Sequence, residues 1–232
     1  MKILFIFFVT LCFFENIKAK VDISNLATAA DVKNAKPPEA SSKMHPQRDT
    51  KKTIARGEIR SEEVSKLRES LKGVNLILNN QPQSPNRTDL LLKKSYLHLN
   101  IARELGRNRK SVAEMSEEER KHLNTAKDVL NKLLQPDIKI SSQKKASVNY
   151  LLGLVAFEFE DYKLQQKYFI ESLQIDPKSQ QAGSLSLMIA EQYFDDEDFV
   201  NALKYYNNFT NYMTENQKDL SVYKSAWSYI SL

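Results

Sequence analysis

Residues 151–177 of this 232-residue chain read LLGLVAFEFEDYKLQQKYFIESLQIDP, and this stretch decides the fold. It contains a small residue, Gly153, an Asp161-Tyr162 pair, a large aromatic residue, Phe169, and Pro177 at its end. A small residue lets two helix backbones approach closely, an aromatic side chain fills the space between helices, and proline ends a helix. The stretch therefore predicts helices that pack closely against one another.

The same pattern returns further along the chain. Measured from Ala146, the first unit has Gly153 at position 8 and Phe169 at position 24, and a second unit starting at Gly183 repeats this spacing. In the second unit, Ile189 and Ala190 take positions 7 and 8, and Asp198 takes position 16. Its aromatic residues at positions 11, 17 and 24 are Tyr193, Phe199 and Tyr206. A third unit begins near Asp219 and reaches only its first helix.

This pattern resembles the tetratricopeptide repeat (TPR), a helical hairpin of about 34 residues. The resemblance implies an all-α, right-handed solenoid of stacked hairpins over residues 146–232, with units 146–179, 183–216 and a partial unit 219–232. Hairpins stack because a single pair cannot bury its apolar face alone. The sequence departs from the TPR pattern at Gln165, where alanine is typical, and at Phe209, where a small residue is typical.

Residues 61–140 are predicted to form further helical hairpins that resemble the repeat more loosely. Ser61 is expected to cap a helix with an apolar stripe that ends before Pro82, and a second helix is expected from Thr88 to Leu105 with Gly106 as its C-cap. Ser95 takes the place of the small residue at position 8 in this reading. No segment alternates between apolar and polar residues, so no strand is expected.

A third helix is predicted to begin after Ser116. Ser116 is followed by Glu117, Glu118 and Glu119, which is the sequence pattern of a capping box. The apolar stripe that follows includes Ala126, Leu130 and Leu133, and Pro136 lies just beyond it. This helix is expected to be the second helix of the looser unit.

The first nineteen residues have the pattern of an export signal. Lys2 precedes a run from Ile3 to Phe14 that is apolar except for Thr10, and Ala19 is a plausible cleavage point. Read as a membrane anchor, twelve residues would rise only about 18 Å, which is too short for a bilayer core of about 30 Å. We therefore interpret residues 1–19 as a signal peptide.

Residues 20–60 lack a sustained apolar period and are predicted to be a flexible basic tether. The excess of basic residues between Lys43 and Arg60 suits peripheral contact with anionic lipid or an acidic partner, and the alternative is a solvated linker.

Composition excludes several classes of function. The formal net charge is only +5, and Cys12 is the single cysteine, so neither a disulfide framework nor a cysteine zinc site is expected. His98 and His122 fall on predicted helices without a recognisable metal motif, and Asp195-Asp196-Glu197-Asp198 lacks the ligand spacing of a calcium loop. We expect no catalytic residues, no cofactor, no metal and no nucleic-acid partner.

The TPR resemblance also implies a binding groove lined by the first helix of each unit. The residues at the groove positions are mostly aromatic or acidic: Tyr150, Leu154, Phe157 and Glu158 in the first unit; Ser184, Leu187, Glu191, Phe194 and Asp195 in the second; and Leu220, Tyr223, Trp227 and Ile230 in the third. An apolar helix, or an extended segment with basic residues, would suit such a groove. The alternative is that several of these aromatics pack against the next repeat.

The combined pattern of signal, tether and repeats resembles exported TPR proteins of the Gram-negative envelope. It implies a non-enzymatic scaffold, periplasmic or associated with the outer membrane, that binds an envelope protein or peptide segment. The alternative is a localising or regulatory module of a longer chain whose C-terminal continuation carries an enzymatic activity. The apolar end of the sequence, residues 222–232, predicts either that the chain is a fragment of a longer repeat protein or that this end docks onto a partner or a second copy.

Overall fold

The computed structural model describes residues 50–232, with side chains described from Glu62 onward, so the expected signal and the tether before Thr50 lie outside the described residues. This part of the chain is all-helical, with no strand among its described residues. Its elements are α1 Thr50–Asn80, α2 Arg87–Gly106, a 3₁₀ turn Val112–Glu114, α3 Glu117–Leu133, α4 Ser142–Glu158, α5 Tyr162–Ile175, α6 Ala182–Asp195, α7 Phe199–Asn208, a 3₁₀ turn Thr210–Tyr212, and α8 Glu215–Ser231.

The first helix begins earlier than the sequence indicated. Helix α1 starts at Thr50, so Ser61 lies inside it and is not its N-cap. The stretch between Pro46 and Ser61 contains no proline to stop a helix, and a helix that is already nucleated extends at little cost. The predicted apolar stripe is confirmed, since Val64 and Leu78 are buried against α2.

Helices α2 and α3 form the next hairpin. Its capping box is confirmed, because Ser116 accepts a hydrogen bond from the Glu119 backbone while the Glu119 carboxylate accepts one from the Ser116 backbone. Ser95 is buried, as expected of a small residue at a close helix contact. Gly106 is the last residue of α2 and has no positive φ, so it is not a left-handed cap. Its place is explained by packing, since a Cβ there would overlap the Glu119 carboxylate.

The hairpins α4–α5 and α6–α7 turn in the same way. Glu160 and Glu197 adopt left-handed backbone conformations with φ of 58° and 61°. The next residues, Asp161 and Asp198, cap the following helices with their carboxylates at nearly identical φ and ψ. The backbone N–H of Asp161 donates to the carbonyl of Ala156, and that of Asp198 donates to the equivalent carbonyl five residues earlier. The two hairpins therefore share one turn geometry.

Each helix packs on the next one along the chain, and α2 with α4 and α6 with α8 are also in contact. A core that includes Leu99, Leu130, Leu152 and Phe169 runs from α2 to α6. A second cluster around Tyr206 joins α6 and α7 to the turn before α8.

The last helix presents apolar side chains to solvent. Ala226, at the position where a small residue contacts a partner helix in the earlier units, is exposed on α8. The large exposed side chains on this helix and at the terminus are Val222, Tyr223, Tyr229, Ile230 and Leu232. The buried face of α8 carries small hydroxyl side chains instead, and Ser221 donates to the Tyr206 carbonyl at 2.8 Å.

Candidate functional site

The predicted groove positions separate into buried and accessible residues. Leu154 and Leu187 are core residues, with only 7% and 2% of their surface exposed. Leu154 belongs to the main core, and Leu187 packs in the cluster around Tyr206. Their assignment to the groove was wrong, because the packing of neighbouring helices covers this part of α4 and α6.

Three predicted groove aromatics are partly buried by rings of their own hairpin. Tyr150 stacks on Phe169 with ring centroids 6.1 Å apart. The ring of Phe157 packs edge-on against that of Tyr162, with centroids 6.2 Å apart. At the equivalent positions of the second hairpin, Phe194 packs edge-on against Phe199, with centroids 5.5 Å apart. The last two contacts occupy the same positions of the two hairpins, on either side of the turn. Each ring therefore leaves only part of its surface for a ligand.

Glu158 belongs to an ion network that joins three helices. The Arg103 guanidinium of α2 lies 2.7 Å from the Glu158 carboxylate, and Arg109 donates to the Glu158 carbonyl at 2.9 Å. Arg109 also lies 3.3 Å from the carboxylate of Glu119, whose side chain is only 4% exposed. Two guanidinium groups thus neutralise two carboxylates in a largely desolvated place. The network ties the end of α4 to α2 and α3.

The Glu191 carboxylate also has partners within the protein, one in the second hairpin and one on α8. It accepts a hydrogen bond from the Tyr206 hydroxyl, and its second oxygen lies 3.3 Å from Lys224 Nζ. The Lys224 ammonium also sits 4.0 Å from the centre of the Phe194 ring. Burial, with the Glu191 charge beside it, raises the pKa of the Tyr206 hydroxyl far above its ordinary value. The phenol therefore stays a proton donor at any physiological pH.

These ion pairs change the expected chemistry of the groove. Both Glu158 and Glu191 have basic partners within the chain. A ligand would therefore not meet two unmatched negative charges at these positions.

The aromatics that are at least half exposed among the described residues are Tyr96 on α2 and Tyr223 and Tyr229 on α8. Tyr223 is 52% exposed on α8 and meets Trp227 edge-on at 6.4 Å. Tyr96 of α2 is 50% exposed and was missed by the sequence analysis. The sequence did contain an indication of this: with Ser95 at position 8 of the repeat, Tyr96 takes position 9, which is a groove position. Tyr96 and Arg103 both act electrostatically on Tyr150, whose pKa is raised chiefly by burial.

The turn Asp195–Asp198 does not form a metal site in the structure. Asp198 caps α7 through its carboxylate. Among the described residues, no group of three or more histidine, cysteine, aspartate and glutamate side chains is arranged to hold a metal ion. In residues 50–232, no helix has the length and apolar character needed to cross a membrane.

The sequence also did not indicate that two histidines lie next to each other. His98 of α2 and His122 of α3 lie side by side, with their Nδ1 atoms 2.8 Å apart. Nothing in the local sequence of either helix indicates this pair, because it depends on how the two helices pack.

Comparison of the chain with protein-family models, with characterised proteins and with solved structures finds no match.

Proposed function

We propose that this protein is a non-enzymatic scaffold of TPR-like hairpins that binds a partner polypeptide along its first helices, α2, α4, α6 and α8. The observation that carries the proposal is the repetition of one hairpin geometry. Glu160 and Glu197 share a left-handed turn, and Asp161 and Asp198 share a cap. Stacked hairpins of one geometry bring equivalent side chains of successive first helices into one row, which suits an extended or helical ligand.

The binding side chains in this proposal are the aromatics that remain accessible. Tyr96 and Tyr223 are half exposed, and Trp227 presents part of its ring beside Tyr223. Tyrosine, tryptophan and arginine are the residues that most often dominate binding energy at protein interfaces. Because Glu158 and Glu191 have basic partners inside the chain, the proposed ligand is an apolar or amphipathic segment rather than a strongly basic one.

The proposed place of action is the cell envelope, either the periplasm or the outer membrane. Support comes from the signal-like residues 1–19, which lie outside the described residues, and from the basic residues of the predicted tether 20–60, of which Lys51, Lys52, Arg56 and Arg60 fall within α1. A tether between membrane and repeats would let the scaffold reach partners near the membrane surface.

A pull-down from envelope extract tests the proposal. The variant Tyr96→Ala/Tyr223→Ala should capture much less partner than the wild type, with the helical circular dichroism unchanged. The control variant Leu76→Ala/Val200→Ala removes two other exposed side chains, 62% and 64% accessible, and should capture as much as the wild type. Equal capture by the tyrosine variant and the wild type would reject this surface as the binding site.

A further inference from the structure

His98 and His122 connect two helices through one hydrogen bond. Their rings are tilted at 46° with centroids 4.9 Å apart, and the Nδ1···Nδ1 distance of 2.8 Å is that of a good hydrogen bond. The His122 side chain is only 14% exposed. Such a bond requires one hydrogen between the two facing nitrogens, so one ring donates and the other accepts.

The hydrogen bond between the two rings persists when one proton is added to the neutral pair, but not when two are added. A neutral ring that donates through Nδ1 has a lone pair on its outward Nε2 atom, and a proton there leaves the shared bond in place. A second proton can enter only the accepting Nδ1. Two N–H groups would then point at each other across 2.8 Å, between two positively charged rings.

We propose that the His98–His122 pair is an acid-sensitive latch that holds α2 against α3 while at least one ring is neutral and opens this helix contact when both rings are protonated. The latch belongs to the fold and does not depend on the proposed partner-binding function. It goes beyond that function because it makes one helix pair respond to the acidity of the compartment.

The charges around the pair decide which ring takes the first proton. Glu118 of α3 lies 3.9 Å from the outward Nε2 of His122, so a proton on that nitrogen is favoured. Arg68 of α1 and Lys121 of α3 oppose any charge on His122, and Lys94 of α2 opposes one on His98. His122 is therefore the first ring to be protonated and donates to His98, which takes the second proton.

The direction of the pKa shifts agrees with this order. Burial, together with His122 and Lys94, lowers the pKa of His98 from 6.5 to about 4. Burial also lowers the pKa of His122, while Glu118 partly offsets that effect. The two histidines bind protons more readily in the unfolded chain than in the folded one. The stability that the neutral pair gives the fold is therefore fully present above pH 6.5 and is lost as the pH falls toward 4.

Denaturant unfolding of the full chain between pH 7 and pH 4 tests the latch. Proton uptake on unfolding, read from the slope of stability against pH, should be larger for the wild type than for His98→Leu/His122→Leu by about one to two protons. The control His45→Leu removes the remaining histidine and should follow the wild-type curve. Equal slopes for the wild type and the double variant would overturn the proposal.

Two measurements on the wild-type protein do not depend on a variant that folds. An NMR titration should show the His98 ring titrating near pH 4, and an ordinary titration near pH 6.5 would overturn the latch. Hydrogen exchange, corrected for its intrinsic pH dependence, should show α2 and α3 losing protection near pH 4 before α6 and α7 do. Simultaneous loss in all four helices would also overturn the proposal, because it would mean global unfolding rather than local opening.

Discussion

The ring of Phe169 occupies the space that any side chain on Gly153 would fill. Gly153 is on α4 and Phe169 is on α5, so the absence of a side chain on one helix sets how closely the two helices approach. The second hairpin has Ala190 and Tyr206 at the same two positions, and both are fully buried in one cluster. A small residue facing a large ring is thus the repeated unit of packing.

Adding a side chain at this contact should destabilise the fold. Gly153→Ala should lower the free energy of unfolding by about 1–3 kcal/mol, because the new Cβ overlaps the Phe169 ring and forces it to move. Gly153→Leu should cost more. Urea unfolding followed by circular dichroism measures both values.

Gly73 supplies the matched control for this experiment. Gly73 lies within helix α1, and no neighbouring atom lies within 4 Å of the position that a Cβ would take there. Gly73→Ala should therefore raise stability by up to about 1 kcal/mol through helix propensity alone. If Gly153→Ala also raised stability, the close contact between α4 and α5 would be contradicted.

The two left-handed turns should respond differently to glycine. At Glu197, glycine removes the cost of a left-handed side-chain residue, so Glu197→Gly should be neutral or stabilising by up to about 1 kcal/mol. Glu160→Gly relieves the same strain and also loses the bond that the Glu160 carboxylate accepts from the Val112 backbone. Glu160→Gly should therefore be less stable than Glu197→Gly by about 0.5–1.5 kcal/mol, measured by chemical denaturation. The reverse order would contradict the assigned contact.

Removing the Tyr206 hydroxyl should weaken the attachment of α8. Tyr206→Phe should cost about 1.5–3 kcal/mol, because Glu191 loses a buried donor and keeps only Lys224. Tyr205→Phe is the control, since the Tyr205 ring keeps its stacking on Tyr193 without the hydroxyl. A double-mutant cycle with Glu191→Leu, which cannot accept the hydrogen bond, should give a clear coupling to Tyr206, and additive losses would show that the two side chains do not interact.

Breaking the ion network at Arg109 should cost far more than breaking a surface pair. Arg109→Met leaves the buried Glu119 and Glu158 carboxylates short of a partner, which should cost about 3–5 kcal/mol. Arg107→Met removes two ion pairs, with Glu63 and Glu104, whose arginine is 60% exposed, and should cost no more than about 1 kcal/mol. Thermal unfolding at low and high salt compares the two variants. Similar losses would place Arg109 in solvent rather than in a buried network.

Local features of the fold could be predicted from the sequence because they depend on neighbouring residues. The capping box predicted at Ser116 acts within three residues. The small-to-large contact between positions 8 and 24 could be expected because the repeat gives two examples of it. The extension of α1 before Ser61 could not, since that part of the sequence has no sustained apolar period.

Contacts between distant helices account for most of what the sequence missed. The Arg103–Glu158 pair joins residues 55 positions apart, and the two histidines are 24 positions apart. Single-sequence periodicity identifies which face of a helix is apolar, but it does not say which neighbour covers that face. Leu154 was assigned to a groove for this reason, although the structure buries it.

If a partner lies along the first helices, site-specific photo-crosslinking in cells should detect it there. A benzophenone amino acid would replace Tyr96, Tyr223 or Val200 in turn, because all three positions are at least half exposed and Val200 lies on the second helix α7. The account predicts that Tyr96 and Tyr223 crosslink the same protein, identified by mass spectrometry, and that Val200 does not. Crosslinking of that protein at Val200 as strongly as at the two tyrosines, or different proteins at the two tyrosines, would contradict it.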